Sequence, residues 1–171
     1  MPLPKSVQSA LQPIGRTLAT LETPAVLIDA DIADANLVHW QERCEQAGLA
    51  NRPHIKTHRT SAWALRQVEL GAQGVTVQTV GEAEVMADAG ITDLFLTTNV
   101  LGPAKLDRLG AVARRARLSL VADSVTVVDA VAGAAHAAGA RITVLVECDT
   151  GGGRCGLADP AAIAALAGRI A

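Results

Sequence analysis

The sequence predicts an α/β domain built on a parallel sheet, and three observations predict it. Short β-branched runs alternate with alanine-rich stretches of helical character, most of which stop at a glycine. The runs start roughly every 20 to 27 residues, the period of a strand-helix unit. Half of the 171 residues are apolar and 19% are charged, which excludes a disordered or fibrous chain and provides for a core. Two architectures satisfy this alternation, a (β/α)8 barrel or an open doubly wound sheet.

Residues 1–22 read as a polar lead-in broken by Pro2, Pro4 and Pro13, and residues 23–171 as one domain without a linker. The predicted strands are Ala25 to Asp29, Arg52 to His58, Gly74 to Thr79, Asp93 to Asn99, Arg117 to Asp123 and Arg141 to Asp149. Their apolar character predicts a sheet covered on both faces. Between them, Asp31 is placed to cap a first helix with Ala33, Leu37, Trp40 and Cys44 on one face, ending at Gly48. Thr60 or Ser61 starts a second helix that Gly71 stops, and Ser124 opens another that runs to Gly139. Asp159 and Pro160 form a cap and first-turn pair for the last. A complete barrel needs eight strands and about 250 residues, so six runs make an incomplete one.

Composition narrows the function. No apolar run approaches the roughly 18 residues of a membrane span. The N-terminus lacks the apolar core of a signal peptide. A net charge of −2 offers no basic footprint for nucleic acid. Cys44, Cys148 and Cys155 form neither a zinc-type pairing nor a disulfide framework. The expectation is a cytoplasmic enzyme domain acting on a small molecule.

Ligands of parallel α/β proteins bind at the carboxyl ends of the strands, where this sequence gathers its polar groups. The second run ends in Lys56 and His58, the third in Gln78 and Thr79, and the fourth in Thr97, Thr98 and Asn99. Asp123 and Asp149 end the last two and can equally serve turns and helix caps. With a strand period of two, Arg52, His54, Lys56 and His58 share one face. A lysine beside two imidazoles, partly out of water, favours the neutral amine that attacks a carbonyl to form an imine. The competing reading is an exposed edge strand with a solvated basic face.

Gly151, Gly153 and Gly156 formally satisfy a dinucleotide fingerprint, but they follow the sixth strand and no acidic residue stands at ribose distance beyond Asp159. A nicotinamide-dependent oxidoreductase is therefore the weaker reading, and a tight turn that folds Arg154 back over the strand ends the stronger. Cys148 reads as core, Cys44 as inert on a helix face, and His39 and His136 as surface positions. Glu82 and Glu84 stand where a helix start favours carboxylates.

Taken together, TPAVLIDAD from Thr23, RPHIKTH, VQTVGEAEVMADAGI, LTTNVLGPAK and VECDTGGGRCGL resemble the N-terminal part of the D-threonine aldolase and D-serine dehydratase group of alanine-racemase-type pyridoxal-phosphate enzymes. The resemblance implies a (β/α)8 barrel, here incomplete, with the family's C-terminal β-domain absent. It implies that Lys56 holds pyridoxal 5'-phosphate covalently, and that Arg154 lies close to the cofactor ring. His54, Gln78 and Thr79 would complete the cofactor pocket, with His58 and Asn99 on the substrate side. An asparagine-glutamate pair of the family reads Thr98-Asn99 here, and Gly152 replaces a larger polar residue. The implied activity is that of a D-amino acid lyase, with D-threonine aldolase ahead of D-serine dehydratase, racemase or a non-catalytic cofactor-binding protein. A homodimer and a divalent metal are implied for the full-length family, with the metal's ligands and the phosphate cup expected beyond residue 171. The present chain alone is expected to be catalytically poor or inactive.

Overall fold

The computed structural model describes residues 17–171, so Pro2, Pro4 and Pro13 of the lead-in lie outside the described residues. The chain divides between Asn36 and Leu37. In the first part a 3-10 turn spans Leu18–Thr20 and helix α1 (Ala30–Gln46) begins. The predicted strand Ala25 to Asp29 is absent. It has no strand partner, and Val26 is 96% exposed. A β-branched run becomes a strand only where a neighbour pairs with it and covers it. Asp29, rather than Asp31, caps α1, its Oδ1 accepting the Ile32 N–H at 3.1 Å.

The second part holds strands β1 (Val75–Val77), β2 (Asp93–Leu96), β3 (Arg117–Ala122) and β4 (Ile142–Val146). They alternate with helices α2 (Ser61–Glu69), α3 (Val80–Asp88), α4 (Pro103–Ala113), α5 (Val125–Ala138) and α6 (Pro160–Ile170). All strand pairs are parallel and the order is sequential, β1-β2-β3-β4, with Leu94 beside Leu118 and Leu118 beside Ile142. An order that never reverses winds the chain one way and places its helices on one face, which removes the doubly wound alternative.

Burial shows the same asymmetry. Leu94, Leu96, Leu118 and Leu120 face the helices and are completely or almost completely buried against Met86, Leu109, Val112 and Val131. Each such leucine contributes roughly 1.5–3 kcal/mol relative to an exposed one. On the other face Phe95 and Ser119 are half-buried, while Thr143 and Leu145 are exposed. The sheet is thus covered on one face, not two. Thr76, Ser119 and Thr143 alternate with the buried leucines and valines, whereas Phe95, Val121 and Leu145 keep the second face partly apolar.

The run Arg52 to His58 is the largest departure from the sequence reading. His54 makes a single parallel bridge to Thr76, and the chain then coils into a 3-10 turn over Ile55–Thr57. Ile55 is fully buried and anchors that turn. The two-residue alternation therefore ends at His54. Arg52 turns to the opposite end of the sheet, where its guanidinium grips the Asp93 carboxylate at 2.6 and 3.1 Å and Arg117 binds the same group. Gly74 lies against this cluster, where a Cβ would stand 2.3 Å from the Asp93 carbonyl oxygen.

Helix ends follow the sequence closely. Ser124 accepts the Val127 N–H at 3.4 Å, and Asp159 accepts those of Ala161 and Ala162 at 3.2 and 3.1 Å. Gly48 and Gly139 close α1 and α5 in the left-handed region, at φ +64° and +60°. On α1 the buried position is Gln41 rather than Trp40, which is 56% exposed. Gln41 is held by Glu45 at 2.9 Å and Asn51 at 3.1 Å.

Candidate active site

At the carboxyl ends of the strands lies an open pocket of about 350 Å³. His54, Lys56 and Gln78 form one side of it, Thr97, Thr98 and Asn99 the middle, and Glu147, Arg154 and Cys155 the other side. Parallel strands converge their carbonyl ends here, so loops from three strand ends and the Lys56 turn reach one space.

His54 sets the position of Lys56. Its Nδ1 accepts the backbone N–H of Lys56 at 3.3 Å and so caps the 3-10 turn. Nε2 lies 3.5 Å from the Thr97 hydroxyl, which donates in turn to the Val77 carbonyl at 3.3 Å. An accepting Nδ1 leaves the proton on Nε2, so the ring is a neutral structural group rather than a free base. Burial, and then the positive charge of Lys56, hold its pKa below the ordinary value against an opposing pull from Glu82. Lys56 itself is exposed at the pocket rim. The burial expected from a strand period of two is absent because the residue sits on a turn.

The two loops after β1 and β2 are tied together, the Thr98 hydroxyl donating to the Gln78 carbonyl at 2.8 Å. Thr79 does not line the Lys56 pocket. It caps α3, accepting the Glu82 N–H at 3.1 Å, and borders a neighbouring cavity of about 500 Å³ that shares Gln78, Thr98 and Asn99. His58 is also outside the pocket. It turns toward α2, its Nδ1 accepting the Thr60 N–H at 3.1 Å. Its Nε2 and the Gln67 Oε1 are both buried without a hydrogen bond of good geometry, each offering what the other lacks.

The glycine-rich segment is a turn built on Asp149. Its carboxylate accepts the Gly151 N–H at 2.9 Å and the Gly153 N–H at 3.1 and 3.0 Å, which hold its pKa below the usual carboxylate range. Donors that a pyrophosphate would need are therefore already engaged, and α6 starts only at Pro160. This removes the dinucleotide reading. The chain then returns to the sheet, Leu157 bridging Cys148. Gly156 permits this, since a Cβ there would stand 2.7 Å from the Cys148 carbonyl carbon.

That return carries Arg154 and Cys155 into the pocket. The Cys155 thiol donates to Glu147 Oε1 at 3.0 Å, and both residues line the pocket with Arg154. Glu147, Cys155, Thr97 and Thr98 were not selected from sequence as site residues, although their strand-end positions are a usable signal. Cys148, expected in the core, is exposed. No group of three His, Cys, Asp or Glu placed to hold a metal occurs among the described residues. No described helix is long and apolar enough to cross a membrane.

A one-way-wound parallel sheet with a lysine and an arginine lining one pocket at its carboxyl ends defines a class, and comparison with known proteins places the chain in it. The family described as alanine racemase, N-terminal domain, matches residues 28–171, and the chain belongs to that family. A D-threonine aldolase of Arthrobacter sp is 43% identical over 153 residues, covering 90% of this chain and 40% of its own length. A D-threo-3-hydroxyaspartate dehydratase of Delftia sp. (strain HT23) is 37% identical over 142 residues, covering 82% and 37%. The crystal structure of D-threonine aldolase from Filomicrobium marinum superimposes with a TM-score of 0.85 at 41% identity, covering 88% of this chain and 41% of that one. The chain thus spans about two fifths of the length of these relatives.

Proposed function

We propose that this chain is the cofactor-holding part of a pyridoxal 5'-phosphate-dependent lyase that cleaves 3-hydroxy-D-amino acids in the manner of a D-threonine aldolase. One observation carries the reading: Lys56 and Arg154, far apart in sequence, line one pocket with Gln78 and Asn99 at the strand ends. The donor set suits the cofactor. A primary amine at an open rim can reach an aldehyde, and a guanidinium and a side-chain amide can hydrogen-bond a polar ring.

Bound there, pyridoxal phosphate supplies an electron sink for negative charge at the substrate α-carbon. The chain's own residues have simpler tasks. Lys56 would hold the group covalently through Nζ. His54 holds the Lys56 turn in place and stays neutral. Arg154, presented by the Asp149 turn, would orient the ring. Asn99 and Thr98 border the substrate side. In the proposed reaction a base takes the β-hydroxyl proton, the O–H electron pair forms the aldehyde C=O, the Cα–Cβ pair remains on Cα, and a proton returned to Cα gives glycine. The proposed complete fold is an eight-stranded barrel in a homodimer, with any divalent metal held outside the described residues.

The whole protein supplied with pyridoxal phosphate, a divalent metal and D-threonine tests this. Release of glycine and acetaldehyde supports the aldolase. Ammonia and a keto acid from 3-hydroxy-D-aspartate or D-serine would assign a dehydratase instead, the activity printed in the name of the Delftia relative.

A further inference from the structure

Glu82 belongs to none of the roles above, yet its carboxylate joins two parts of the site's framework. Its Oε2 accepts the Gln78 backbone N–H at 2.7 Å, and its own N–H is held by Thr79. Its Oε1 lies 3.1 Å from Nε of Arg59. Arg59 closes the Lys56 turn, donating its N–H to the Ile55 carbonyl at 2.7 Å. It is also the only non-glycine residue with positive φ among the described residues, at +48°. An arginine is held in that conformation only where its surroundings favour it.

Two loops that approach the pocket from different strands therefore meet at one carboxylate. The Glu82 side chain is 13% exposed, whereas that of Arg59 is 65% exposed, so the fixed member is the carboxylate and the arginine comes to it. We infer that Glu82 and Arg59 form a clasp that positions Lys56 against Gln78, with Glu82 as a positioning residue for the amine. This rests on the reading of Lys56 as the amine that holds the cofactor. An exposed ion pair contributes little to overall stability, so its effect is local, on where the turn sits.

The test measures how fast pyridoxal 5'-phosphate becomes fixed to Lys56 under borohydride, by timed peptide mapping, with Lys105 in the same sample as reference. Wild type is compared with Glu82→Gln, Arg59→Gly and the double variant. Glycine adopts the φ of Arg59 freely, so Arg59→Gly removes the pair without straining the turn. Each single change is expected to slow labelling at Lys56 by about fivefold, and the double variant to be no slower than either, because both remove one interaction. Arg59→Lys, which keeps the charge, is expected to restore most of the rate. Unchanged rates, or effects that multiply in the double variant, would overturn the clasp. Should Glu82→Gln fail to fold, Arg59→Gly decides by the same criterion. A wild type unlabelled at Lys56 would overturn the reading of that lysine, and the clasp with it.

Discussion

His54 Nδ1 accepts the backbone N–H of Lys56 at 3.3 Å, so the imidazole nearest the amine is spent on shaping the turn that carries it. In the function proposed above, the pair divides the work: the histidine positions and the lysine reacts.

Both His54 and His58 are held below their ordinary pKa of 6.5, chiefly by burial. A histidine that binds protons less readily when folded contributes stability that is complete above the unfolded pKa and is lost as pH falls through it. Urea midpoints are expected to decline between about pH 7 and pH 5. His58→Asn should flatten that decline, because His58 lies deeper and titrates against burial. A midpoint constant across this range would contradict the neutral assignment.

Asp93 sits almost out of water between two guanidinium groups. Burial pushes its pKa up, but Arg52 and Arg117 outweigh it and hold the carboxyl below its usual value. Asp93→Ala leaves the partly buried Arg52 guanidinium without its partner and is expected to cost about 2 kcal/mol in denaturant unfolding. The same pairing predicts a further loss of stability in acid, below the ordinary pKa of 3.8, as this carboxylate is forced to take up a proton.

Gly156→Ala is expected to destabilise by about 1–3 kcal/mol, since the backbone is at φ +92° and the new Cβ meets main-chain atoms of Cys148 and Asp149. Because the same turn presents Arg154, the variant should also bind pyridoxal phosphate more weakly in equilibrium dialysis. A Gly151→Ala control, whose Cβ meets nothing within 4 Å, should lose only the cost of its own positive φ.

Much of this was legible in the sequence, and the failures share a cause. Helix ends marked by Ser124, Gly139 and Asp159 depend on groups within a few residues of each other, so local chemistry decides them. The four strands carry apolar runs strong enough to mark them as strands, but those runs predict cover on both faces where the structure has it on one. The runs from Ala25 and from Arg52 have the right residue types but lack a continuous partner strand. One stays extended and exposed, and the other coils after His54. Placing His58 beside Lys56 failed with that alternation. Gln78, Asn99 and Arg154 line one pocket with Lys56 because they stand at strand ends or in the turn that returns to one, beside the 3-10 turn that carries the lysine. Arg59 escaped notice, and Glu82 reads from sequence only as a helix-start carboxylate, because only the fold brings the two together.

The central claim is that the Lys56 amine holds an aldehyde cofactor. The sequence has lysines at positions 5, 56 and 105, which makes the measurement clean. The protein is incubated with substoichiometric pyridoxal 5'-phosphate, reduced with borohydride and mapped by peptide mass. The account predicts label concentrated on Lys56 and lost in Lys56→Ala without transfer to the other two. Label spread evenly over Lys5, Lys56 and Lys105, or missing from Lys56, would contradict it.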